Sequence, residues 1–206
     1  MNMDFLISPI LEDLKWLEHG FGTRQSAVFP DQLATLRQVH SAMPLVADEP
    51  GCAGEGDALM TNRRGLAVSV RTADCLPILI ADPQARVVAA IHAGWRGTAA
   101  GIVRRTVEEM TGKFGTDPSG LRAAIGPGIG VCCYQVGDEV ARQFGLSGPI
   151  LLDLAAENRR QLVEAGLAGA HIDLLNRCTF CDPARFHSYR RDKDRAGRMI
   201  SYVLIR

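Results

Sequence analysis

Hydrophobic positions between residues 65 and 92 run almost without a break, interrupted only by short polar turns. Gly65 to Arg71, Leu76 to Ala81 and Arg86 to His92 each read as a strand, with Asp82-Pro83-Gln84 turning the chain between the last two. Strands this apolar are expected to be buried on both faces. The period then changes. Ile102, Val103, Val107 and Met110 share one face of a helix that Thr98 would cap and that runs to about Met110. Leu121 to Ile125 predicts a short strand ending in the glycine loop Gly126 to Gly130, and Gly137 to Phe144 predicts a helix. Asp153 predicts the cap of a clearer helix through Ala165, stopped by Gly166. Strands at His171 to Leu174 and Met199 to Ile205 complete the pattern. Mixed strands and helices around one core predict an α/β class, as a mixed α+β sandwich of mixed sheets flanked by helices. The strand order does not follow from the pattern.

The 206 residues favour one domain spanning 1–206 rather than two, and 47% hydrophobic residues suffice for a full core. Lys plus Arg equals Asp plus Glu at 23 each, so no global field draws the chain to nucleic acid or a membrane surface. A charged ligand would need a local pocket. Met1 to Leu6 lacks the basic start and apolar stretch of a secretion signal, and the most apolar run, Cys75 to Ala81, is too short to cross a bilayer. Six cysteines in such a chain read as reduced thiols or metal ligands, and the expected location is cytoplasmic.

Five histidines are present, His19, His40, His92, His171 and His187. His92 ends an apolar strand and runs straight into Ala93-Gly94-Trp95-Arg96-Gly97, good placement for a pocket. Taken singly, His40 and His92 read equally well as core histidines and Cys75 as inert packing. Together they offer one thiolate and two imidazoles, the number of protein ligands a catalytic zinc takes when it keeps a fourth position open. Spacing alone does not select this trio.

Competing constellations are weaker. Cys178-Thr179-Phe180-Cys181 is a CxxC without the partner CxxC of a structural zinc, and it lacks the proline that precedes the zinc deaminase pair. Cys132 and Cys133 read as packing residues. Gly126 to Gly130 resembles a dinucleotide loop only superficially, because a proline and the wrong spacing spoil the match. Arg190 to Arg195 reads as a solvated mixed-charge loop from which an arginine can reach an anion.

A set of blocks in order carries a resemblance: Gln38-Val39-His40, Gly56-Asp57-Ala58-Leu59, Arg71-Thr-Ala-Asp-Cys-Leu-Pro77 and Ala90-Ile-His-Ala-Gly-Trp-Arg-Gly97. It continues in Ile125 to Gly130, Cys133 to Gly137, Phe186 to Asp192 and Gly197-Arg198. Over nearly its whole length the chain resembles the laccase-domain family, also described as a purine nucleoside phosphorylase group and a peptidoglycan editing factor. The resemblance implies zinc held by His40, Cys75 and His92, and a mixed fold shared with a group once guessed to be cysteine hydrolases. It implies phosphorolysis of adenosine, inosine or methylthioadenosine, deamination of adenosine, and a nucleoside contact from Arg24.

Purine nucleoside and phosphate are therefore the expected partners. Arg96, with the helix start after Gly97, is a candidate phosphate cradle. Asp74 is a candidate proton shuttle beside Cys75, its alternative being a turn residue bonded to backbone. Trp95 reads as core before it reads as a purine contact. The sequence departs from the family at Gln25-Ser26-Ala27-Val28, where Gly-Gly-Val-Ser is usual, and at Gly128 and Val131, where cysteine and proline are frequent. A four-copper laccase is excluded by counting, since it takes roughly ten histidine ligands and imidazole is the usual copper donor. A single Cu2+ in the trio is chemically admissible, with Zn2+ favoured. Two alternatives stand beside the metalloenzyme: a Cys75–His92 amide hydrolase editing a peptidoglycan precursor, and a metal-binding protein without turnover.

Overall fold

The uninterrupted apolar strands lie at the centre of a computed structural model that describes residues 5–206. In chain order, β1 (Phe5–Leu6), α1 (Pro9–Glu12), β2 (Leu17–Gly22), β3 (Leu33–Arg37), β4 (Pro44–Val46), β5 (Gly51–Glu55) and β6 (Ala58–Thr61) lead into β7 (Ala67–Thr72), β8 (Leu76–Asp82) and β9 (Val87–Ala93). Then come α2 (Trp95–Ala99), α3 (Ile102–Phe114), β10 (Arg122–Ile125), β11 (Gln135–Val136), α4 (Asp138–Arg142), β12 (Ile150–Leu151), α5 (Leu154–Glu164), β13 (Ile172–Leu174), α6 (Tyr189–Asp192) and β14 (Met199–Ile205).

Two six-stranded mixed sheets result, ordered β1-β2-β14-β7-β3-β5 and β13-β10-β8-β9-β6-β4. In the first, β14 runs antiparallel to β2 and β7 while β3 is parallel to β5 and β7. In the second, β8 is antiparallel to β9 and β10, and β10 is parallel to β13.

Side-chain alternation explains why β8 and β9 are apolar throughout. Ile78 and Ile80 join Ile102, Val103, Val107 and Met110 of α3 and Leu162 of α5 in one cluster. Leu79 and Ala81 point the other way, onto Val68 and Val70 of β7, Val203 and Ile205 of β14, and Phe21 of β2. Ala89 and Ile91 of β9 take the helix side, Val88 and Ala90 the sheet side. Every residue of both strands is buried. The second sheet is thus sandwiched between helices and the first sheet, which leaves its central strands β8 and β9 no solvent face. The fold is a mixed α+β domain, as expected.

One element differs. The helix expected to start at Thr98 is two helices, broken at Gly101, which takes φ 76°. Thr98 lies inside α2, fully buried, with its N–H donated to the Gly94 carbonyl at 2.8 Å, so Gly94 rather than Thr98 is the N-cap. Asp153 does cap α5, accepting from the Ala156 N–H at 2.9 Å, and Gly166 ends it at φ 105°. No helix among the described residues is long and apolar enough to cross a membrane.

Candidate metal centre

Three segments converge on one point: the loop after β3, the link between β7 and β8, and the end of β9. The β8–β9 register sets Pro77 opposite His92 and Leu76 opposite Ala93, which brings Cys75 level with the chain leaving β9. Gly94 makes this approach possible, since a Cβ there would sit 2.9 Å from Cys75 Sγ and 3.5 Å from His40 Cδ2. The ligand atoms of His40, Cys75 and His92 lie within 4.8 Å of one another. The two imidazoles are 5.0 Å apart between centroids, with planes at 75°.

Asp57, between β5 and β6 and wholly buried, organises the site. Its Oδ1 lies 2.8 Å from His92 Nδ1 and accepts the His40 N–H at 3.1 Å. Its Oδ2 accepts the N–H groups of Val39 (3.2 Å) and Ser41 (2.6 Å) and the Ser41 hydroxyl (2.8 Å). These bonds hold His40 at φ 58°, a left-handed conformation that costs a non-glycine residue about 1–3 kcal/mol. With Nδ1–H given to Asp57, the Nε2 lone pair of His92 is left for a metal. Gln38 steadies the same loop by mimicking a strand, its side chain donating to the Arg71 carbonyl at 2.9 Å and accepting the Arg71 N–H at 2.8 Å.

The electrostatics match. Burial alone would raise the Cys75 thiol, but hydrogen bonds from His40 and His92 outweigh it and bring the pKa down to about 6. Burial would depress His92, yet Asp57 and Cys75 hold it up at about 9. Asp57, whose burial works against ionisation, is brought to about 2 by His92 and Ser41. One thiolate, one carboxylate-oriented imidazole and a second imidazole form a donor set that fits a divalent metal.

Above the trio opens a cavity of about 720 Å³, lined also by Arg37, Gln38, Arg71, Arg96, Tyr189 and Arg198. No aspartate or glutamate among the described residues lines it. Arg96 stacks its guanidinium 4.3 Å over the Trp95 ring, and Trp95 itself packs half-buried against the helix-side core. The helix start expected after Gly97 lies at Trp95 instead, so Gly97 and Thr98 have no open N-terminus to offer an anion.

Asp74, expected to shuttle a proton, has both carboxylate oxygens committed: Oδ1 accepts from Thr179 Oγ1 and Oδ2 from the Arg190 N–H, each at 2.6 Å. It sits at φ 84°, buried, as the tie between the Cys75 link and the chain around Thr179 and α6. Arg24, expected at the nucleoside, is exposed and donates to the Pro183 carbonyl at 3.0 Å; it is not among the residues lining the cavity. Asp57, Arg71 and Arg198 lay within quoted sequence blocks without a role assigned, and Arg37 and Tyr189 flanked such blocks or fell in one. Their signal was arginine placed next to ligand-bearing motifs, legible only once the strands are paired.

Cys133 packs against the helix-side core, as expected, whereas Cys132 does not. They lie half-buried and exposed respectively, and meet Cys178 and Cys181 with all four sulfurs within 4.8 Å. The pair that meets Cys178 and Cys181 in space is two adjacent cysteines in the turn after the glycine loop.

Sandwich and trio together define a class, an α+β domain carrying a His–Cys–His set suited to hold a metal at the floor of a cationic cavity. The chain belongs to the family described as multi-copper polyphenol oxidoreductase laccase, whose model matches residues 21–206. It is 44% identical to a purine nucleoside phosphorylase of Deinococcus radiodurans, over 84% of this chain and 70% of that one. It is 38% identical to purine nucleoside phosphorylase YlmD of Geobacillus stearothermophilus over 71% of this chain, and spans only 59% of that relative's length. Adenosine deaminase RL5, from an unknown prokaryotic organism, is 38% identical over 87% of this chain and 77% of its own. The crystal structure of YlmD from Geobacillus stearothermophilus superposes with a TM-score of 0.91 at 28% identity, covering 100% of this chain and 97% of that one. A purine-metabolising, metal-associated enzyme of this family is what these relatives support.

Proposed function

We propose that the chain is a zinc-dependent purine nucleoside phosphorylase that cleaves adenosine, inosine and methylthioadenosine with inorganic phosphate. The observation that carries this reading is the position of the His40–Cys75–His92 set on the floor of a cavity whose walls, among the described residues, hold four arginines and no carboxylate. When bound, the metal supplies Lewis acidity at a fourth, open position. Arg71, Arg96 and Arg198 hold the phosphate by charge-assisted hydrogen bonds beside the ribose. A phosphate oxygen forms the bond to C1′ while the purine nitrogen leaves with the electron pair of the glycosidic bond. Tyr189 gives the purine an aromatic face at the cavity edge. Asp57 orients the His92 ring through Nδ1, turning Nε2 toward the ligand position, and Asp74 fixes the link that carries Cys75; both are positioning residues.

Deamination of adenosine, the activity in the name of RL5, calls for a proton shuttle. Among the described residues the cavity walls show no carboxylate for it, so phosphorolysis is the better supported of the two. The test is purine release from adenosine and inosine with and without phosphate, by protein of known metal content and by Cys75→Ala. Release that needs phosphate and vanishes with the metal supports the reading. Phosphate-independent release, or none, sinks it.

A further inference from the structure

We infer that Cys132, Cys133, Cys178 and Cys181 form a second metal site, a closed tetrathiolate centre for structural Zn2+. The sulfurs already stand close to the spacing such an ion sets. Zn–S bonds of about 2.3 Å in a tetrahedron put sulfurs about 3.8 Å apart. Cys132 Sγ and Cys181 Sγ are 3.7 Å apart, Cys133 Sγ and Cys181 Sγ 3.3 Å, and the whole set lies within 4.8 Å. The ligands come from two segments far apart in sequence, two from the turn after the glycine loop and two from the loop after Asn176, and they are all of one soft donor type, which selects zinc over hard cations.

The surroundings are those of a thiolate centre. The Gly130 N–H donates to Cys178 Sγ at 3.2 Å, the kind of contact that orients a thiolate ligand. Gly130 itself leaves room, since a Cβ there would be 3.3 Å from Cys132 Sγ and 3.2 Å from Cys178 Cβ. Arg191, itself paired with Asp192, donates to the carbonyls of Thr179 (2.9 Å) and Phe180 (3.0 Å), pinning the loop between Cys178 and Cys181. On binding, each thiol gives its proton to solvent and its sulfur donates an electron pair to the ion. With all four positions filled by protein, no site is left for substrate, and the centre acts as a clamp.

What it clamps is the support of the first centre. Thr179 donates its N–H to the Gly128 carbonyl at 2.9 Å and its hydroxyl to Asp74 at 2.6 Å, and the Ile129 N–H donates to the Asp74 carbonyl at 2.8 Å. Asp74 directly precedes Cys75. Little regular structure joins these two segments, apart from a single bridge between Gly128 and Cys178, so a metal cross-link there fixes what the sheets do not.

The experiment is metal content of the full chain, reconstituted with Zn2+ under reducing conditions and freed of excess. Two zinc ions per chain are expected for the native protein, one for Cys75→Ala, and one for Cys178→Ser with Cys181→Ser. Because the double serine variant removes the clamp and can fail to fold, Co2+ is also loaded into Cys75→Ala, where the cluster is intact. Intense thiolate-to-cobalt charge transfer with the visible bands of a tetrahedral ion is expected there. A Cys75→Ala protein that binds no zinc, or binds cobalt without thiolate bands, overturns the site. So does iron, rather than zinc, bound in preference by the same variant.

Discussion

Asp57 Oδ1 lies 2.8 Å from His92 Nδ1, and the two side chains are 0% and 5% exposed. A buried carboxylate that also accepts three loop N–H groups couples the ring orientation of His92 to the backbone conformation of His40. Asp57→Asn removes the charge and reverses one donor. The metal affinity of the His–Cys–His centre is expected to fall by about 10–100-fold, the usual effect of losing such a partner. A competition titration with a chromophoric chelator measures it, with the cysteine cluster's contribution subtracted using Cys75→Ala. Unchanged affinity would mean that His92 is held by packing alone.

Arg71 and Arg198 line the cavity, and no carboxylate among the described residues lies on its walls. Removing a charge-assisted hydrogen bond costs about 1.5–3 kcal/mol, or roughly 10–100-fold. Arg71→Ala and Arg198→Ala should therefore raise the KM for phosphate by that order while purine release persists at saturation. Arg24→Ala, outside the cavity lining, should leave nucleoside KM within about twofold, a difference below 0.5 kcal/mol. A tenfold rise for Arg24→Ala in steady-state kinetics would return that residue to the nucleoside contact expected from the sequence.

Asp74→Asn separates tie from proton shuttle. An amide in place of the carboxylate sets a donor against one of its two present donors, Thr179 Oγ1 or the Arg190 N–H, and should lower stability by about 1–3 kcal/mol. Turnover at saturating metal should fall less than about tenfold with the pH profile unchanged, whereas loss of a general acid or base costs typically 10²–10⁴-fold. Disappearance of one limb of the profile would restore the shuttle.

His19 is held neutral. Burial brings its pKa down from 6.5 to about 4, against a smaller opposing pull from Asp173, and its Nε2 accepts the Ser8 N–H at 2.9 Å. Above pH 6.5 both folded and unfolded states are neutral, so the contribution is complete there. Between 6.5 and 4 only the unfolded state takes the proton, and up to about 3 kcal/mol of stability is lost as pH falls. His19→Gln, whose carbonyl can accept from Ser8, should be less stable-dependent on pH across this window. Thermal melts of both proteins at pH 7.5 and 4.5 read the difference, and parallel losses would show that His19 is not the group responsible.

The apolar runs at β7, β8, β9 and β14 were legible because each is short, nearly continuous and bounded by turn residues, and Asp153 and Gly166 marked α5 by the chemistry of helix ends. Gly101 hid the break between α2 and α3, because Ala99, Ala100 and Ile102 on either side of it still fit a helical period. The small strands between Leu17 and Thr61 carried no expectation; β5 is mostly exposed and held by its neighbours rather than by its own pattern.

His40, Cys75 and His92 could be named from the sequence only through the blocks that surround them, since two imidazoles and a thiol have no fixed spacing when each comes from a different strand end. Asp57 and the cavity arginines needed the pairing of β3 with β7 and of β8 with β9 before they shared a space. The four cysteines show the limit most clearly. A linear pattern searches for CxxC with CxxC, but ligand geometry is satisfied by distance, and an adjacent pair on a glycine turn serves as well. Composition and period thus determined the class of fold and its buried strands, because burial is local in sequence. Which polar groups meet is decided by strand order and register, and those are properties of the folded chain alone.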